Sequence, residues 1–351
     1  MNKRQLPLVG GLPAKGNCIL RKKIILIRYN DMKKIALCIL LLAAIFSLQA
    51  CKTDEVAEKP AAVAEKTDQP AVTPVSNEKP LRFGYMICDS RKLSEERFAP
   101  FTAYLEKKLG RRVEMILKNT FEFESLIKNK EVDFFHVNSI VAVLLKEKYK
   151  AELLAIDIRG RNGYKATGTI IARKDSGIET IEDMRGKSMV FGPALAPFGY
   201  MAQYAMLLDN NFDPETDFSA YTIPSGAAKH DKVIYGVEYG KYDVGAAPRI
   251  DLDRLVEENI INLDDYNIIA ESDPMPYCTI GARDEVDAAL KEKVRDILLN
   301  LKDDEIAEVD GETLKVLKRM LIDGFAPVVD SEYDAIREDL KLCNMPPYTK
   351  Y

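Results

Sequence analysis

The sequence predicts an α/β fold arranged as two similar lobes. From Leu81 onward, short apolar strands alternate with amphipathic helices, and the same alternation restarts near Ile178. The ordered body is about 270 residues, more than one typical domain and enough for two. Strands alternating with helices argue for parallel βαβ units.

In the first half, Leu81–Met86 is an apolar strand. Ser94 is placed to cap a helix whose Phe98, Phe101, Leu105 and Leu109 share one face, and Gly110 stops it. A strand is expected at 112–117, a short helix at 122–130, a strand at 132–137 and a helix at Ser139–Tyr149. The second half reads as a helical turn at 181–185, a strand at 188–192 and a helix at 200–209. A strand at 218–223 and a helix at 231–239 follow. An echo links the halves: Lys128-Asn129-Lys130-Glu131-Val132-Asp133-Phe134 parallels Glu238-Tyr239-Gly240-Lys241-Tyr242-Asp243-Val244. Each ends a helix, turns, and launches a strand through Asp. Beyond Met275 a strand at 278–282 is followed only by helical patterns.

Ahead of this body lies an export signal. Met32-Lys33-Lys34 is a short basic n-region, and Ile35 to Leu48 is almost wholly apolar. At about 14 residues that core is too short for a membrane span, which needs about 20. It ends in Leu48-Gln49-Ala50-Cys51, which resembles the lipobox of bacterial lipoproteins and implies cleavage before Cys51 and lipidation there. Residues 1–31 would make an oddly long n-region, so Met32 reads as the natural start. Residues 51–80, with Pro60, Pro70, Pro74 and Pro80 and few large apolar side chains, have the composition of a disordered tether. The expected location is therefore extracytoplasmic, on a lipid anchor.

Residues 1–50 hold nine basic residues and one acidic, so the mature chain has 41 Lys and Arg against 54 Asp and Glu, a net charge of −13. That balance argues against nucleic-acid binding, which wants a basic stripe. Of six cysteines, Cys51, Cys88, Cys278 and Cys343 remain after cleavage. With Cys51 lipidated, one disulfide at most is possible.

In open α/β sheets, ligands bind beyond the carboxyl ends of strands, where helix N-termini offer free N–H groups. Four segments qualify: Met86 to Asp89, His136-Val137-Asn138-Ser139, the loop Gly192 to Tyr200, and Ser225 to His230. Both histidines of the chain fall at such junctions. As a metal pair they would be two ligands short of a usual zinc site, so no metal and no cofactor is expected. Gly186-Lys187-Ser188 resembles the end of a P-loop, but Ile181 occupies the required upstream glycine position. No His-Glu-x-x-His, Cys-x-x-Cys or Gly-x-Ser-x-Gly occurs, and no enzyme activity is expected.

Several short words, in order, resemble the solute-binding proteins of phosphate, phosphite and phosphonate ABC importers. They are Tyr104 through Gly110, Gly163-Tyr164 leading to Arg173 through Ile178, Gly186-Lys187, Phe191-Gly192, Gly199-Tyr200, His230 and Asp243. The resemblance implies a two-lobed type II periplasmic binding protein fold that closes over its ligand by hinge bending. Its two inter-lobe crossings would fall near 168–173 and 272–278. Lobe 1 would comprise 81–170 and 277–351, and lobe 2 would comprise 171–276. It also implies a monomer that delivers a small ligand to an ABC permease.

The departures bear on the ligand. Where the family holds phosphonyl oxygens with a Ser-Thr-Ser run, this chain has Ala196, Pro197 and Phe198 before Gly199. A family Tyr after the second strand appears as Phe121, and a family aromatic near the end of the third strand falls close to His136. His230 matches a ligand-contacting family His, whereas the family's ammonium-binding acids are unmatched near Arg249. Each lost hydrogen bond to an anion is worth roughly 1.5–3 kcal/mol, so a diverged organic ligand is an alternative to a phosphonate or phosphate oxyanion. The expected ligand contacts are His136, Asn138, Ser139, Ala196, Pro197, Phe198, Gly199, Tyr200 and His230, with Tyr85, Asp89 and Phe121 beside them. A second reading is a ligand-sensing or partner-binding lipoprotein that has left transport.

Overall fold

The computed structural model describes residues 78–350 apart from Asp89, Ala227 and Ala228. The expected signal, lipidation at Cys51 and most of the tether lie outside the described residues, as does Asp89.

The chain opens with β1 (Leu81–Met86), whose side chains are nearly all buried. Helix α1 (Arg91–Leu109) begins one turn earlier than expected: its N-cap is Ser90, whose side chain accepts from the Leu93 N–H, and Ser94 is buried inside the helix. It ends where expected, with Gly110 left-handed at φ 65°. Next come β2 (Val113–Lys118), α2 (Phe123–Lys128), β3 (Phe134–Val137), α3 (Ser139–Tyr149) and β4 (Glu152–Ile158).

The second sheet begins after the short strand β5 (Lys165–Ala166). Its strands are β6 (Gly168–Arg173), β7 (Ser188–Val190), β8 (Ala220–Thr222), β9 (Val244–Pro248) and β10 (Tyr266–Glu271). Between them lie α4 (Ala202–Asp209), α5 (Lys229–Glu238) and α6 (Arg249–Glu257). The segment Gly168–Arg173, expected as a crossing, is thus a strand, and the chain passes between the sheets at 159–167. It returns through β11 (Met275–Pro276), which pairs with β5, and enters β12 (Thr279–Ala282) in the first sheet.

The expectation of helices alone after β12 is corrected. Helix α7 (Ala288–Leu299) is followed by the hairpin β13 (Ile306–Val309) and β14 (Glu312–Lys315), then α8 (Val316–Met320), β15 (Gly324–Pro327) and α9 (Asp334–Leu342). The hairpin turns on Asp310-Gly311, both with positive φ, the pair that a two-residue type I′ turn selects.

The strand orders are β15-β4-β12-β3-β1-β2 and β10-β6-β9-β7-β8. Only the central βαβ units are parallel: β1 with β2 and β3, and β7 with β8 and β9. The strands that follow a crossing, β6 and β12, run antiparallel to both neighbours. Apolar clusters lie on both faces of each sheet, with α1 covering one face of the first sheet and α2, α3 and α9 the other. The sequence echo has a structural counterpart. Asp133 accepts the Arg82 backbone N–H at 2.9 Å, and Asp243 accepts that of Ser188 at 2.8 Å. Each Asp therefore pins the first residues of a parallel strand in its own sheet.

Candidate functional site

Parallel pairing puts the carboxyl ends of β1 and β3 on one side of the first sheet, and those of β7 and β8 on one side of the second. Loops leaving those ends carry most of the expected contacts. At the end of β3, Asn138 caps α3, its Oδ1 accepting from Val141 N–H at 3.0 Å. Its Nδ2 donates to the Leu195 carbonyl at 2.8 Å, tying the first sheet's helix to the second sheet's loop. Ser139 follows, fully buried, and its hydroxyl has no hydrogen-bond partner among the described residues.

The loop after β7 is closed by a Gly192 N–H donating to the Gly199 carbonyl. It enters α4 through a π-helical turn, Pro197–Met201, in which Met201 N–H reaches back to the Ala196 carbonyl. His230, in the first turn of α5, lies on this loop. A Cβ at Gly199 would sit 2.5 Å from its Cε1, and one at Gly192 would sit 3.0 Å from it. Glycine at both positions is what admits the ring so close to the backbone.

Ala196, Pro197, Phe198 and Gly199 are all buried. Phe198, Met201 and Ala202 join the apolar cluster of the first sheet, with Leu195 packed against it, and the Phe198 ring stacks on Tyr277 at 6.3 Å. Where the family resemblance places hydroxyls, this chain has an apolar contact between the two halves. Tyr200 turns into its own half, 5.0 Å from Phe191 and 5.5 Å from Tyr204.

Three expected contacts are placed elsewhere. Tyr85 is fully buried between Phe83 and Phe98, each 4.6 Å away, and its hydroxyl is hydrogen-bonded to Thr102. Strand alternation turns it into the core rather than toward a ligand. Phe121 is 72% exposed on a turn beyond β2, because no neighbouring element covers Thr120–Glu122. His136 is buried with its Nε2 2.8 Å from Asp157 Oδ2, so that nitrogen is committed within the first sheet.

Arg159, Tyr277 and Asp157 join the candidate site although no sequence motif singles them out. Arg159 follows β4 and donates to the Tyr277 hydroxyl at 2.8 Å, its guanidinium also lying 5.9 Å from the same ring. Among the described residues no carboxylate lies within ion-pair distance of it, although Asp251 acts on it from further away and it is only partly exposed. A partly buried guanidinium with no carboxylate in direct contact is available to an anion. The available signal was Arg159-Gly160-Arg161, a basic pair closing an apolar run in an acidic chain. The two acidic residues of that run, Glu152 and Asp157, obscured it.

The two-sheet architecture with paired crossings and loops converging from strand carboxyl ends defines a type II periplasmic binding protein. Residues 83–333 match the family described as ABC transporter, phosphonate, periplasmic substrate-binding protein, and the chain belongs to that family of binding proteins rather than enzymes. It is 24% identical over 230 residues to the phosphonates-binding periplasmic protein of Escherichia coli K12, a match spanning 64% of this chain and 66% of that protein. Among solved structures, it is similar to PhnD1 from Prochlorococcus marinus in complex with methylphosphonate. The TM-score is 0.63 at 15% identity, over 76% of this chain and 98% of that one. It is also similar to XAC2383 from Xanthomonas citri bound to ATP, with a TM-score of 0.63 at 21% identity, over 78% of this chain and all of that one (100%). Among the described residues no helix is long and apolar enough to cross a membrane.

Proposed function

We propose that this protein is a lipid-anchored, extracytoplasmic solute-binding protein that captures a phosphorus oxyanion between its two halves and presents it to an ABC permease. The observation that carries the reading is Arg159, a guanidinium at the first crossing with no carboxylate in ion-pair contact among the described residues, next to Tyr277 and through it to the Phe198 loop. The unpartnered hydroxyl of Ser139 at the N-terminus of α3 and the His230 ring on the Gly192–Gly199 turn supply further donors. In this account the charge and these donors replace the family's three hydroxyls. Two fold relatives carry phosphoryl-type ligands, methylphosphonate and ATP, which supports a phosphonate or phosphate head on a small or a larger body.

The experiment is a thermal-shift panel on the mature protein against phosphate, phosphite, several phosphonates, ATP and sulfate, with cell fractionation of the wild type and Cys51→Ser. A ligand present at a hundredfold excess over its Kd stabilises by about 2.7 kcal/mol. The reading expects stabilisation by a phosphorus oxyanion and a wild type held in the membrane fraction that Cys51→Ser releases. The apolar loop favours one second reading, a sensor or partner module, and silence across the panel from folded protein would move the assignment there.

A further inference from the structure

Three side chains meet on adjacent strands of the first sheet, close behind the Arg159–Tyr277 pair. His136 lies on β3, Asp157 on β4, and Cys278 immediately precedes β12, which runs between them. Their ligand atoms lie within 4.8 Å of one another, and all three residues are buried. The strands fix the arrangement: Ile280 is in register with His136, and Asp157 N–H donates to the Cys278 carbonyl at 2.8 Å.

Once the His136–Asp157 hydrogen bond is made, the cluster has polar capacity to spare. His136 Nδ1 and Asp157 Oδ1 are both buried and have no hydrogen-bond partner among the described residues. Two orphaned polar atoms on one buried hydrogen-bonded pair call for an explanation. The donors identify what would satisfy them. Imidazole, thiol and carboxylate together are the ligand set of a divalent transition metal, and a thiol and an imidazole are poor ligands for magnesium or calcium. Around zinc, bonds of about 2.0–2.3 Å place tetrahedral ligand atoms about 3.3–3.8 Å apart, so the longest separation must close by about 1 Å while the His136–Asp157 pair, now 2.8 Å apart, opens by about 0.5 Å.

We propose that His136, Asp157 and Cys278 form a three-ligand site for a zinc-type divalent transition metal. Uptake converts the Cys278 thiol to a thiolate and releases its proton. The apo protein holds that proton firmly, since burial and the neighbouring Asp157 push the thiol up. Three protein ligands leave a fourth position for water or another small donor. The site's ligands differ from the residues of the anion reading, Arg159, Ser139 and His230, although Arg159 is near enough to act on Cys278.

The test is titration of the chelator-stripped mature protein with Co²⁺, read in the ultraviolet and visible, followed by Zn²⁺ displacement. The expected result is one Co²⁺ per chain with a thiolate-to-cobalt charge-transfer band, lost on addition of Zn²⁺. Cys278→Ser abolishes the band, Asp157→Asn weakens binding at least tenfold, and Cys343→Ser leaves both unchanged. Circular dichroism on each variant confirms folding. Should Cys278→Ser fail to fold, loss of the band on alkylating Cys278 in the wild type stands in for it. Absence of stoichiometric Co²⁺ uptake by the wild type, or a band that persists in folded Cys278→Ser, overturns the site.

Discussion

At Gly199 the absent side chain is what lets His230 lie on the loop. An added Cβ would fall 2.5 Å from the ring carbon Cε1 and 2.8 Å from Nδ1, closer than atoms approach without displacement. Gly199→Ala therefore pushes the imidazole off the loop while leaving the sheet beneath it intact. The expected outcome is ligand affinity reduced by about 10- to 100-fold, the range for one hydrogen bond to a charged group, in a protein that still unfolds cooperatively. Titration calorimetry reads the affinity and circular dichroism the fold. Asn138, Ser139 and His230 are candidates legible in the sequence because each lies at a junction between a strand and a helix. Arg159 and Tyr277 were not, because they are 118 residues apart and meet only through the two crossings.

At the scale of elements, the segment from Leu195 to Ala202 joins the halves by apolar packing. Phe198 is 3% exposed and lies in the first sheet's cluster. Phe198→Ala is expected to cost about 3–5 kcal/mol, as Phe truncations in cores do, measured as a lower urea midpoint. A second seam runs between α4 and α9. Burial, then Asp209, Glu338 and Asp273, raise the Asp339 carboxyl from 3.8 to about 7. The folded protein therefore keeps a proton there that the unfolded chain releases near pH 4. Stability falls as pH rises from about 4 to about 7 and levels off above that. Asp339→Asn, which stays neutral, is expected to flatten this part of a Tm-versus-pH profile, and an unchanged slope would show that other groups produce it. Here the sequence was only partly legible. The α3 boundaries emerge from periodicity, but helical patterns on either side of Asp310-Gly311 mask the hairpin signal for β13 and β14. The antiparallel strands β6 and β12 were hidden for another reason: direction within a sheet depends on the crossings, and local pattern carries no record of them.

For the whole molecule, the repeated Asp133 and Asp243 anchors and the two sheets built on parallel centres describe one plan used twice. Asn138 from one half and His230 from the other both meet the segment from Gly192 to Ala202, and Arg159 is linked to it through Tyr277. The central claim is that an anion binds there by charge and backbone in place of the missing hydroxyls. Isothermal titration calorimetry of the mature protein with methylphosphonate and with phosphate, wild type beside Arg159→Ala, tests it most directly. The account predicts saturable one-to-one binding of at least one of these anions to the wild type, weakened about 10- to 100-fold in Arg159→Ala. No heat from either anion with the wild type, or equal affinity in the two proteins, would contradict it.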